Sequence, residues 1–507
     1  MPKEVLFQFN QQTDRSLSTF GNNTRLINMY SNPTPNGRSE YELRSLEGSS
    51  IVTSAIAPMN GQGCRGLFKT SIGPESVGNV PQIYGVFGDS LFRFNGTTAV
   101  FIGQVKNSSE FVTFAESQEQ GTTNVKGFVC DGTLIYEWEI RAEDGAVAGT
   151  FAEIGYIPYV NGSTTEKAIP ANITYYNYRL IMTCKNSNQW FYSGLNDSVF
   201  NDGDWYTSEF KNDRTIKAIS NGGSLWLFNN NSLEIWTRSG DQTDPFVTPM
   251  GNQSNIGLAS IQGTAQLDAD IYWIGNGDTS TAGIFKGTGS GSVTRISTPG
   301  IENIINSWKY RNQTKAFAYR LNGCSFVVFT SINDDQTIAY CVETGKWSER
   351  STSNNGYVHY WDVAYAAIGN DGVMYFGPAN SNRLCKFDSA LAVDHNGYPI
   401  TREYSSPIFI DSLQRFVIRQ IKLDIECGTG PSYVDEPEIY LQVSRDSGKT
   451  WGERRMLQLG KRGQYKTQVR SFNFGVGRDF VIRFGTSAPI PVTFYQMRLI
   501  TEKCGGV

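Results

Sequence analysis

Hydrophobic and polar positions alternate along most of this chain, in short stretches separated by Gly, Asp or Asn. A period of two marks strands half-buried in a sheet, and those separating residues tolerate the left-handed backbone of tight reversals. Seven stretches share one design, a turn residue or pair followed by an aromatic or aliphatic strand. They start at Gly88, Asp131, Asn177, Gly222, Ala269, Asn322 and Asp371. The starts lie 43 to 53 residues apart, the length of chain that four short strands and their turns consume. Several units continue into a second strand, as in Ser232 to Trp236 and Arg383 to Asp388. The pattern predicts an all-β protein built on a six- or seven-bladed β-propeller.

One segment departs from this period. Ile301, Ile304, Ile305 and Trp308 have the spacing of a single apolar helical stripe, with Thr298 able to cap it and Pro299 suited to the first turn. A short helix is expected over about 300–309, packed beside the sheets. From about Tyr404 the unit spacing lapses, and longer strands follow at 416–425, 438–443, 480–484 and 492–500. Their alternation predicts an antiparallel β-sandwich as a separate C-terminal domain. The expected division is 1–78 as an N-terminal segment docking on the C-terminal domain or on a neighbouring subunit, 79–395 as the propeller, and 396–507 as the sandwich or platform. The turn-rich run from Asn32 to Gly37 and the short strand from Tyr41 to Leu46 are too little to bury a core alone.

Composition narrows the classes. Among 507 residues, 52 are Gly, 25 Tyr and 30 Phe, while charged residues make up only 18%, which excludes a coiled coil as the main architecture. The formal net charge of −4 supplies no general attraction to a phosphate backbone or an anionic membrane. The start, Met1 to Gln8, has no apolar run of secretory-signal type, and no stretch is apolar for the 18 residues a spanning helix needs. A soluble chain without membrane insertion is expected. Eight cysteines are scattered without a C-x-x-C pair, the usage of reduced thiols made in cytosol. Two histidines, His359 and His395, cannot build a multi-histidine metal centre.

The sharpest local motif runs from Ser444 to Trp451 and fits the S-x-D-x-G-x-x-W pattern of the Asp-box, found in sialidases and other β-proteins. Its Asp accepts hydrogen bonds from turn amides and its Gly permits positive φ, so it stabilises a bend rather than performing chemistry. Carboxylates for glycoside cleavage could come from Glu137, Glu139, Asp202, Asp204, Glu234 or Asp362, although most such residues on β-proteins are solvated turn groups. The glycine-rich run from Gly287 to Ser292 lacks the Lys of a phosphate loop and is read as a hairpin tip. His359 lies in an aromatic strand and is expected as a packed ring, whereas His395 is expected in a surface turn. Arg454, Arg455, Lys461, Arg462, Lys466 and Arg470 gather in the C-terminal domain as a solvated strand face, a protein-docking rim or a DNA-facing contact. No catalytic, cofactor-binding or metal-ligating residue is assigned, and no cofactor is expected.

The order of features resembles the packaged-DNA stabilisation proteins, also called tail nozzle or tail hub proteins, of short-tailed bacteriophages. The likeness runs through Arg25 to Tyr30 and Leu43 to Gly48, then Trp190 to Asp197, Ser232 to Trp236 and Ile301 to Ile305, and closes with Phe480 to Phe484 and Gln496 to Ile500. This resemblance implies a non-enzymatic virion structural protein, assembled in the host cytoplasm as a homo-oligomer, a ring of six. It implies partners as well: the portal and head-to-tail adaptor rings, a tail needle or plug, tail spikes or fibres, and DNA passing through the lumen without sequence recognition. The alternatives are a carbohydrate-active propeller enzyme of sialidase-like type and a carbohydrate-binding adhesion protein.

Overall fold

The structure is a computed structural model that describes residues 2–504, apart from 19–20, 22, 36, 72–81, 118–123, 142–144, 242, 250, 278–281, 355–356, 412–413 and 432–433. Strands dominate, and the single α-helix among the described residues is Pro299–Ser307. It forms for the reasons read from its residues: the Thr298 side chain accepts from the Ile301 amide at 3.3 Å, Pro299 starts the first turn, and Ile301, Ile304 and Ile305 are buried.

Antiparallel sheets of four principal strands follow one another along the chain at 64–104, 113–153, 170–207, 215–247, 264–295 and 315–349. These are blades 1 to 6, each built from consecutive strands. A seventh, from 365–388, takes its outermost strand from the N-terminal side, where Gly48–Ile51 pairs with Cys385–Asp388. The innermost strand of blade 7, Tyr365–Ile368, packs against that of blade 1, Cys64–Lys69, which closes the ring. This strand from the other end of the propeller chain completes blade 7 and ties the two ends of the ring together by hydrogen bonds.

Aromatic side chains fill the spaces between blades. Trp138, Trp190, Trp226, Trp273 and Trp347 are fully buried, one on each of blades 2 to 6. Trp190 meets Trp236 of blade 4 edge to face at 5.3 Å and 80°, and Trp226 meets Trp273 of blade 5 at 6.4 Å and 69°. Such pairs add about 0.5–1.5 kcal/mol beyond the area they bury. The seven turns read from the sequence all fall at strand reversals, with positive φ at Gly88, Gly132, Asn177, Gly222, Asp268, Asn322 and Gly372. In blades 3 to 7 they join the first and second strands, whereas Gly88 and Gly132 join the second and third.

The C-terminal strands form a sandwich, but the N-terminal segment supplies part of both its sheets. In one sheet, Phe416–Ile425 and Thr493–Lys503 pair, and Lys3–Phe7, Met29–Pro33 and Tyr41–Ser45 extend it. In the other, Asn23–Ile27 pairs with Arg402–Ser405, followed by Asp479–Thr486, Glu438–Ser444 and Arg455–Gln458. Leu26, Ile418, Ile421, Leu441, Ile482, Phe484 and Phe494 form the core between them.

That second sheet does not stop at the sandwich. Asn23–Ile27 also bridges in parallel to Lys346–Glu349, the outer strand of blade 6, so one eleven-stranded sheet runs from the propeller to the far edge of the sandwich. Asn28, buried with φ of 52°, locks this junction. Its amide donates to the Ser351 and Thr401 carbonyls at 2.9 and 2.8 Å and its carbonyl oxygen accepts from the Ser351 amide at 2.8 Å. The division drawn at residue 78 falls outside the described residues, and Gly48–Ile51 and Cys64–Lys69 on its N-terminal side are propeller strands.

Candidate functional site

The carboxylates considered for glycoside cleavage are dispersed over four blades and individually occupied. Glu137, on blade 2, pairs with Lys126 at 3.4 Å. Glu139 lies on the same strand. Glu234, fully buried in blade 4, accepts from Ser208, from the Phe210 amide at 2.9 Å and from the Trp236 indole at 3.0 Å. Asp362 accepts from the Ala379 and Asn380 amides at 2.9 and 3.1 Å. Asp202 and Asp204 lie on the outer strand of blade 3.

The two histidines exchange the environments expected of them. His359 is half exposed, on a short hairpin strand, with Nδ1 3.1 Å from Asp335. His395 is buried, 3.5 Å from Asp362 and edge-on to the Phe376 ring at 5.6 Å. The reason is local: Asp394 accepts from the Asn396 and Tyr398 amides at 2.9 and 2.8 Å, making a tight turn that folds the imidazole inward.

The Asp-box forms the bend that its residues dictate. Asp446 accepts from the Thr450 amide at 2.9 Å, the Ser444 hydroxyl accepts from the Gly448 amide at 2.9 Å, and Gly448 takes φ of 88°. Hydrogen bonds from Thr450 and Ser444 hold the Asp446 carboxyl well below its ordinary range. Trp451 is covered by the Arg483 guanidinium at 4.0 Å from the ring centre. The run from Gly287 to Ser292 is a reversal in blade 5, closed by the Thr288 amide on the Ser292 carbonyl at 2.9 Å.

Among the described residues one group has donors close enough to hold a metal ion: Cys324, Cys341 and Glu343 of blade 6, whose ligand atoms lie within 4.8 Å of one another. A hydrogen bond between the thiols raises Cys324 and lowers Cys341 to about 7. Glu343 meanwhile accepts from the Ser325 amide at 2.7 Å, which fastens the turn after Cys341 to the neighbouring strand. Seven of the eight cysteines are buried, and Cys504 is partly exposed. No helix among the described residues is long and apolar enough to cross a membrane.

The basic residues of the sandwich are stacked on aromatic rings along its outermost strands. Arg454 sits 3.9 Å from the Tyr440 ring centre, Arg455 4.5 Å from that of Phe474, and Arg470 5.6 Å from that of Phe472. Arg455 also donates to the Phe472 carbonyl and, at 3.0 Å, to that of Asn473, tying the edges of both sheets together. Lys461, Arg462 and Lys466 are exposed on the loop between these strands. Guanidinium groups seated over rings are restricted before any partner arrives, and Arg with aromatics is the composition enriched at protein interfaces.

An acidic counterpart sits on the outer rim of blades 3 and 4, and the sequence reading did not single it out as a surface. Asp202 accepts from the Tyr156 hydroxyl at 2.7 Å and the Tyr159 amide at 2.9 Å, Asp204 accepts from Asn201 at 2.7 Å, and Asp244 accepts from Tyr206. The available signal was the density of Asp between 197 and 213, with Asp241 and Asp244 following the next strands.

A propeller fused to a sandwich through one continuous sheet defines a propeller–sandwich protein. The chain belongs to the bacteriophage P22 Gp10 family, whose β-propeller model matches residues 22–392 and whose β-sandwich model matches residues 401–502. It is a phage tail structural protein, a component of the virion. No curated protein matches the chain. Solved structures share only a distant likeness. The extracellular domain of BT4673 from B. thetaiotaomicron is 10% identical with a TM-score of 0.41, covering 83% of this chain and 47% of that one. A protein from Lactobacillus plantarum is 13% identical with a TM-score of 0.33, over 72% and 98% of the two chains. YCF48 from Cyanidioschyzon merolae is 9% identical with a TM-score of 0.37, over 66% and 98%. The chain thus spans about half the length of the BT4673 domain.

Proposed function

We propose that the chain is a tail nozzle subunit: six copies form a ring that continues the DNA channel below the portal and adaptor rings. The ring helps to retain packaged DNA together with a needle or plug protein, and it carries receptor-binding spikes or fibres. The observation that carries this reading is the eleven-stranded sheet joining blade 6 to the sandwich. A hinge between the two bodies would let a ring deform under the pressure of packaged DNA, whereas a shared hydrogen-bonded sheet resists bending at that point. Family membership supports the tail setting, and the closed propeller offers a wide block with only short strand edges.

DNA that must slide through a channel is best served by walls without concentrated cations, because phosphates held by Lys and Arg release counterions and are retained. The weakly acidic chain suits this role.

Nuclease protection tests the reading. DNA-filled heads carrying portal and adaptor are expected to lose their genome to added nuclease when this chain is withheld and to keep it when the purified chain and its plug are added back. Equal protection with and without the chain contradicts the proposal.

A further inference from the structure

Unneutralised charge of opposite sign lies at the two ends of the molecule. Arg455–Gln458 ends the eleven-stranded sheet on the side away from the propeller, and Val469–Phe472 ends the opposing sheet beside it. Among the described residues no carboxylate pairs with Arg454, Arg455 or Arg470, and Met456 and Phe472 stand about half exposed between them. At the other end, Asp202, Asp204 and Asp244 receive hydrogen bonds from hydroxyl, amide and side-chain amide donors, all neutral, so their charge is left standing. Arg238, exposed on the same rim, offsets only part of it. Val199 and Val247 are exposed beside these carboxylates at 46% and 45%.

Ring order sets the distance between the two rims. The sandwich is attached at blade 6, and in a closed ring of seven sheets blades 2 and 3 lie across from blade 6. The acidic rim on the outer strand of blade 3 therefore faces away from the sandwich, and the basic rim faces away from the propeller.

We propose that these rims dock on each other between neighbouring copies, the arginine–aromatic edge of one sandwich against the Asp202, Asp204 and Asp244 rim of the next propeller. A contact between different surfaces at opposite ends is heterologous, and such contacts build rings when the rotation closes. The occupant is a second copy rather than nucleic acid for two reasons. The chain itself carries the complementary rim, and exposed Met456 and Phe472 match exposed Val199 and Val247, whereas a phosphate backbone offers no apolar counterpart. This contact rests on the ring proposed above and names the surfaces that would make it.

Charge reversal in two variants tests it. One carries Arg454→Glu and Arg470→Glu, the other Asp202→Lys and Asp244→Lys. Each alone is expected to self-associate at least tenfold more weakly than wild type by light scattering. An equimolar mixture is expected to regain assembly, because reversed edges then meet reversed edges and native edges meet native ones in alternation. Single variants that assemble like wild type, or a mixture of two folded variants that does not recover, overturn the contact. Should a reversed chain lose its far-ultraviolet spectrum, Arg454→Gln with Arg470→Gln is the substitute, expected to weaken assembly and to overturn the contact if it does not. A wild-type chain that stays monomeric both alone and on heads carrying portal and adaptor removes the ring and the contact together, whereas rings indifferent to the reversals remove the contact alone.

Discussion

At the scale of single residues, buried carboxylates act as turn locks. Asp131 is fully buried and accepts from the Thr133 and Leu134 amides, both at 2.8 Å, from the Asn107 amide at 3.0 Å and from the Tyr136 hydroxyl at 3.2 Å. Burial pushes its carboxyl up, but these hydrogen bonds outweigh burial, and it is held below its ordinary value. A depressed acid contributes stability above its unfolded pKa and loses it as pH falls through the folded one. Asp131→Asn is expected to cost about 2 kcal/mol at pH 7, since an amide cannot accept all these bonds, and distinctly less below pH 3.8, where the wild-type group also takes up its proton in the unfolded chain. Urea unfolding at both pH values measures the difference; an equal loss at each would show that the lock works without its charge. Residues of this kind were only half legible in the sequence. The turn at Asp131 follows from the recurring pattern, but the inward fold of His395 depends on a turn built by Asp394 that no periodicity reveals.

At the scale of elements, periodicity read well wherever an element is local. The helix Pro299–Ser307 follows from its apolar spacing and its cap, and the recurring turns follow from positions that need positive φ. What periodicity could not show is pairing between distant parts of the chain. Tyr41–Ser45 meets Thr493–Lys503, and Gly48–Ile51 meets Cys385–Asp388, across most of the sequence, and short strands carry no mark of their partners. For the same reason the boundary at 78 did not separate sandwich strands from propeller strands. The closing strand can be tested directly. A Cβ on Gly48 would lie 2.6 Å from backbone atoms of both Leu391 and Val393, so the strand cannot stay in place with a larger residue. Gly48→Val is expected to destabilise the chain by about 1–3 kcal/mol, read as a lowered and broadened calorimetric transition. An unchanged transition would mean that the ring does not depend on this strand.

At the scale of the whole molecule, the two bodies behave as one object because a single sheet passes through both and Asn28 fastens the crossing. The arginine cluster was visible in the sequence, but its meaning was not, because a solvated face, a docking rim and a DNA contact share one composition. In the structure the guanidinium groups stack on Tyr440, Phe472 and Phe474 and an acidic rim lies across the propeller, and the proposed contact between copies draws on both. Neither feature depends on a reactive centre, which suits a subunit working through shape and contact. Electron cryomicroscopy of particles assembled with this chain tests that view most directly. The account predicts six copies in a closed ring below the adaptor, each with its sandwich against the next propeller and a continuous bore at the centre. Particles in which the chain sits as isolated copies away from the channel would contradict it.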